Sequence, residues 1–147
     1  MVLLFRSIPR SIMTTVNILF ALAAYFADWS HTHLFNPRWP PHAKFHNGQS
    51  MSFGALSALM ALYLLGRRNP TPEAAKDSLF IAAIVGSLTT TAGLSAIFYP
   101  GTHWTDPEFD NRALIGVQAY IFAGQLLINW IAYFWEKANL EKREKTL

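Results

Sequence analysis

The sequence predicts an all-α protein, a four-helix transmembrane bundle with both termini cytosolic. Three observations carry that expectation. Four stretches contain no Asp, Glu, Lys or Arg: Ser11–Ala27, Phe45–Gly66, Ser78–Thr105 and Ala113–Trp135, of 17, 22, 28 and 23 residues. About 20 apolar residues of helix cross a bilayer core. Only 14% of the chain is charged while 52% is apolar, against roughly 25% charged in a soluble domain. A chain of 147 residues has too much surface for its volume to keep so little of it polar in water. Finally, Lys and Arg segregate. Nine flank the termini and the second connection (Arg6, Arg10, Arg67, Arg68, Lys76, Lys137, Lys142, Arg143, Lys145), against three in the first and third connections (Arg38, Lys44, Arg112). The positive-inside rule then places the termini in the cytosol.

One four-pass membrane domain, 1–147, is expected, with helices at about 12–29, 41–66, 74–99 and 111–137. Met1–Ala27 has the outline of a secretory signal, with Arg6 and Arg10 before an apolar run and Ala21-Leu22-Ala23 as a cleavage-like triplet. Its apolar run is longer than a usual signal core, so an uncleaved first helix is expected. Pro41 suits the first position of helix 2, where its missing N–H is not needed. Asn69-Pro70-Thr71-Pro72 reads as a tight turn, with Thr71 or its successor capping helix 3. Pro100-Gly101 breaks that helix after Tyr99. Asp110 or Asn111 caps helix 4. Trp29, Trp39 and Trp104 mark one interface, and Trp130 and Trp135 the other. Gly86, Gly93, Gly116 and Gly124 allow close helix contact.

The chemistry gathers in two connections at one face. His31, His33, His42 and His46 fall in the first, and His103 in the third, with Asp28, Asp106, Glu108 and Asp110. His42 and His46 share a helix face, with Gln49 near the same line. Asn36-Pro37-Arg38-Trp39-Pro40-Pro41 is a stiff approach, because three prolines fix φ and restrict their predecessors. The bland alternative is an interfacial loop whose histidines bond to headgroups. Asp28, where a helix meets the loop, is evenly balanced between roles. Glu108 reads as a solvated loop charge. Gln118, Gln125 and Asn129 form one polar stripe on helix 4. Such residues more often knit helices together than touch ligands, with Gln118 the best exception.

The chain has no cysteine, hence no disulfide or thiolate metal site. There is no phosphate-cradling glycine loop and no serine nucleophile elbow. The net charge of +3 sits beside the spans and is not a nucleic-acid signal. Intramembrane charge is absent, which argues against an ion pump or a proton-coupled carrier. A His-x-x-x-His pair is a known metal-ligand spacing, but no His-Glu-x-x-His occurs, so no cofactor is expected and a His-ligated divalent metal is the less favoured version.

His31–Gln49 resembles the signature of small four-helix membrane proteins of fungi and bacteria. In size, hydropathy and this segment the chain is similar to the small integral-membrane epoxide hydrolases and cyclases of fungal polyketide pathways. That resemblance implies secondary metabolism, with the protein a multi-pass one of the endoplasmic reticulum if the cell is eukaryotic. It differs from the sterol-isomerase-like four-helix fold, which uses His and Glu inside its bundle, because no Glu lies inside any span.

The functional expectation is an acid–base enzyme acting on a lipophilic small molecule that enters from membrane lipid. It would hydrolyse or cyclise an epoxide, or isomerise its substrate. His42 and His46 are the expected acid and base, with Asp28 and Asp106 as partners. Asn36, Arg38, Trp39, Gln49 and Gln118 would orient substrate. A non-catalytic structural or lipid-binding accessory protein is the alternative. Whether the pocket belongs to one chain or to a homo-oligomer stays open.

Overall fold

A computed structural model describes residues 3–109 and 116–146. Among them every regular element is helical: α1 (Ile8–Asp28), α2 (Pro41–Gly66), α3 (Pro72–Val85), α4 (Leu88–Ser95) and α5 (Val117–Glu144). Four spans are long and apolar enough to cross a membrane, α3 and α4 together forming the third. The chain thus fits a multipass membrane protein. Asp110, Asn111 and Arg112, and with them the expected start of the fourth helix, lie outside the described residues.

α1 starts at Ile8, ahead of the expected position 12, for a local reason. Ser7 caps it by accepting from Arg10 N–H, and Pro9 occupies the first turn, where a proline loses no hydrogen bond. α2 likewise opens on proline, and Thr71 caps α3 by accepting from Ala74 N–H. α5 runs on to Glu144, seven residues past the expected end, into a last turn carrying Lys142 and Arg143. Cations there suit the negative end of a helix.

α1 packs between α2 and α5, α2 packs on α3, and both α3 and α4 pack on α5. The four spans therefore close into an up-and-down ring. Its outside is apolar: Phe26, Leu56, Leu59, Phe98, Ile131 and Phe134 are all exposed. Inside, Met13, Leu65, Leu79 and Ala82 share the core with Thr14, Asn17, Thr90, Gln125, Asn129 and Glu136. An apolar exterior around a partly polar interior is the arrangement lipid selects, because the hydrophobic effect does not drive helices together there and packing and polar contacts must.

The third span is broken at Gly86-Ser87, which the sequence reading takes as continuous helix. Ser87 N–H donates three residues back, to Ile84 O (2.9 Å), so Ala83 O lacks its usual donor. Ala83 O instead accepts from Ser87 Oγ (2.7 Å) and Asn129 Nδ2 (2.9 Å). Gly86 O accepts from Gln125 Nε2 (2.9 Å), and Gln125 Oε1 accepts from Thr90 (3.0 Å). The polar stripe of α5 therefore supplies the donors that a broken span needs in hydrocarbon. Gly86 is required by contact: a Cβ there would lie 2.5 Å from Asn17 Oδ1, and Asn17 is itself tied to Asn129 Oδ1 (3.2 Å) and Met13 O (2.8 Å).

The end of the ring that holds the termini closes on an ion pair. Arg10 Nε lies 2.7 Å from Glu136 Oε1, with both side chains buried. Ser7 donates to Glu136 Oε2 (2.6 Å), and Arg10 also donates to Leu65 O (2.7 Å). Three elements meet there: α1, α2 and α5. The charge-free stretches stop short of both residues, yet α1 and α5 extend to enclose them. A Glu does therefore lie inside the helical bundle, at its terminal end, contrary to the sequence reading.

Candidate functional site

The opposite end of the ring is built from the end of α1, the start of α2 and the first and third loops. Asp28 is the last residue of α1, and Asn47 sits on the buried face of α2. Asn47 Nδ2 donates to Asp28 Oδ2 at 2.8 Å, which fixes the carboxylate. The loop turns back at once, with Leu34 N–H donating to Asp28 O (3.1 Å). This brings His33 Nε2 to 3.8 Å from Asp28 Oδ1.

The hydroxyl chain behind His33 sets its tautomer. Ser30 Oγ donates its one proton to Ala27 O (2.7 Å). Thr32 Oγ1, 2.8 Å from Ser30 Oγ, must then donate to it, since a hydroxyl has a single O–H. Thr32 Oγ1 is left to accept from His33 Nδ1 at 2.8 Å. Nδ1 therefore carries a proton, and Nε2 is the nitrogen free to gain or lose one. The ring stands edge-on to Trp39, with centroids 5.2 Å apart.

Three polar atoms at this end have spare capacity. His33 Nε2 and Asp28 Oδ1 are too far apart for a direct hydrogen bond. Asn47 is 8% exposed, and its Oδ1 is the one buried side-chain polar atom without a partner among the described residues. A buried orphan acceptor is rare enough to require explanation. On the last turns of α1, Tyr25, Phe26 and Trp29 line an apolar hollow of about 280 Å³, adjacent in the chain to Asp28.

The third loop is clasped over this arrangement. Trp39 Nε1 donates to Asp106 Oδ2 (2.7 Å). Asn36, buried, donates to Glu108 Oε1 (3.2 Å) while its own Oδ1 accepts from Arg38 N–H (2.9 Å). Arg38 pairs with Glu108 Oε2 at 2.9 Å. Gln118 Nε2 donates to the carbonyl of Trp104. Asn36, Arg38, Trp39, Asp106 and Gln118 thus join loop to loop or loop to helix.

A backbone N–H, then Asn36 and the Arg38 charge, hold the Glu108 carboxyl below the ordinary glutamate range. A carboxylate so lowered contributes stability above its unfolded pKa, and the contribution fades as pH falls through the folded value. The clasp should therefore hold at neutral pH and release only as pH falls below the ordinary glutamate range. Tryptophan fluorescence of detergent-solubilised protein, titrated downward, should show a transition that Glu108→Gln removes. An identical transition in that variant would assign it elsewhere.

His42 and His46 do not join the acids. Their Nε2 atoms are 3.0 Å apart, and His46 Nδ1 lies 3.1 Å from Gln49 Oε1. All three side chains are exposed on the outer face of α2. The reason is angular: Asn47, one residue from His46 and about 100° round the helix, faces inward toward Asp28. The four expected acid–base residues thus separate into an imidazole pair outside, Asp28 in the His33 cluster, and Asp106 on Trp39. Sequence reasoning missed His33 as Asp28's neighbour and missed Asn47 altogether. The available signal was the turn-forming Ser30-x-Thr32 after Asp28, which folds the fifth residue back. No third His, Cys, Asp or Glu completes a metal-sized group among the described residues.

The chain belongs to the Family of unknown function (DUF6640), whose model matches residues 12–145. No curated protein and no solved structure matches it.

Proposed function

We propose that this DUF6640 member is a membrane-embedded acid–base enzyme. Its substrate is an apolar small molecule bearing an epoxide or hydroxyl oxygen. The observation that carries the reading is the set of His33 Nε2, Asp28 Oδ1 and Asn47 Oδ1, polar atoms with spare hydrogen-bonding capacity at one end of the ring. The substrate's oxygen would meet these atoms, while its apolar body would remain in the surrounding lipid.

In hydrolysis or cyclisation of an epoxide, one group protonates the leaving oxygen while another takes a proton from water or an internal hydroxyl. His33 Nε2 exchanges the proton. Asp28, oriented by Asn47, stabilises the imidazolium while it is charged. Isomerisation needs the same two transfers without the water. Asp106 is a positioning residue through Trp39, as are Asn36 and Arg38 through Glu108. The basic residues around the termini favour a cytosolic terminal end, which puts this chemistry on the luminal side, at the endoplasmic reticulum in a eukaryotic cell.

The test is turnover of a panel of lipophilic epoxides by protein in lipid nanodiscs. Asp28→Asn and His33→Ala should each lower the rate by about 10²–10⁴ without lowering Tm by more than a few degrees. Turnover unaffected by both, or absent across the panel in folded wild-type protein, favours the non-catalytic accessory reading.

A further inference from the structure

We infer that His42 and His46 form a two-nitrogen chelate for a divalent transition-metal ion, Cu(II) or Ni(II), on the outer face of α2. The site shares no residue with the Asp28 cluster and stands independently of the enzyme reading. Helical spacing of four brings the rings together, edge-on with centroids 4.5 Å apart, and their Nε2 atoms lie 3.0 Å apart. Gln49 supplies a carbonyl oxygen 3.1 Å from His46 Nδ1. A carbonyl only accepts, so Nδ1 holds the proton and the lone pair of neutral His46 is at Nε2. A ligating histidine is normally set this way, with its second nitrogen donating to an oxygen.

Phe45 holds both rings. It stacks on His42 at 4° and meets His46 edge-on at 5.6 Å. Two imidazole nitrogens this close either share the proton of one N–H···N hydrogen bond or hold one metal ion between them. Metal–nitrogen bonds of about 2.0–2.1 Å at right angles put the two nitrogens about 2.9 Å apart, whereas a tetrahedral angle needs about 3.4 Å. The observed spacing therefore favours the tetragonal or octahedral positions of Cu(II) or Ni(II), both of which imidazole suits, over tetrahedral zinc. Because the rings are exposed, water can fill the remaining positions.

The experiment uses full-length, tag-free protein in detergent, titrated with CuCl₂ at pH 7.5 and followed by calorimetry and electron paramagnetic resonance. One equivalent per chain is expected, with hyperfine coupling to two nitrogens. His42→Ala and His46→Ala should each weaken binding by more than 30-fold and reduce the coupling to one nitrogen. Gln49→Leu should weaken it by about 10-fold, and His33→Ala should leave it unchanged. Both histidines are exposed, so the variants should fold. Two-nitrogen binding that survives either histidine substitution, or no binding at 100 µM metal, overturns the inference.

Discussion

Replacing Glu136 with Ala should lower the stability of the bundle by about 3–5 kcal/mol, because it leaves Arg10 buried without its counter-charge. Arg10 is 6% exposed and Glu136 1%, so solvent offers little screening. The substitution also strands Ser7, whose hydroxyl donates to the same carboxylate and whose oxygen caps α1. The pair itself is a different matter. Two charges taken out of water recover their desolvation only with good geometry, and replacing both by apolar residues is often neutral or stabilising. The double variant Arg10→Met, Glu136→Leu should therefore recover most of the loss. Thermal unfolding in detergent checks this: the single variant should melt roughly 10 °C or more below wild type, and the double variant close to it. A single-variant shift of only a degree or two would mean that water or headgroups already reach the pair.

Asn129→Leu ranks second. Asn129 is fully buried and bonds to Ala83 O, Ser87 Oγ and Asn17 Nδ2. Leu has a similar volume, so the effect isolates the hydrogen bonds rather than a cavity. Inter-helix hydrogen bonds in membranes average about 0.6 kcal/mol each, which suggests a loss of about 2 kcal/mol for three. The broken span raises the stake above that average, since an unpaired carbonyl in lipid has no water to turn to. Asn129→Leu combined with Ser87→Ala should be less than additive, because the two share a bond. Full additivity would show that the α5 stripe does not act as the donor for the break.

Much of this fold is legible in composition. A bilayer sets the length and apolarity of each crossing, so four charge-free windows announce four spans. Helix ends are less legible because charge alone was used to bound them. Arg10 reads as a flanking cation, yet its partner at position 136 lies 126 residues away, so the buried pair is invisible to any local pattern. The break at Gly86-Ser87 is equally hidden. Both residues are ordinary inside membrane helices, and their effect depends on Gln125 and Asn129 arriving from another helix.

The site divides along the same line. The i, i+4 relation of His42 and His46 is local and readable, but which way that face points is set by how α2 packs. Glu108 reads as a solvated charge because its partners, Asn36 and Arg38, are about seventy residues upstream. The importance of Asn47 lies in an unfilled acceptor, a property of the folded interior that no residue pattern encodes.

Asp28, His33 and Asn47 all belong to the first hairpin, ahead of the turn at Asn69-Pro70. A nascent chain therefore holds every one of these groups before its second pair of helices has left the ribosome. The later pair contributes no member of that trio. It latches the loops through Asp106 and Glu108, and it welds the far end through Glu136. On the proposed acid–base reading the two halves carry separable burdens, one reactive and one mechanical, and substitutions in the second half should retune rigidity long before they alter the chemistry.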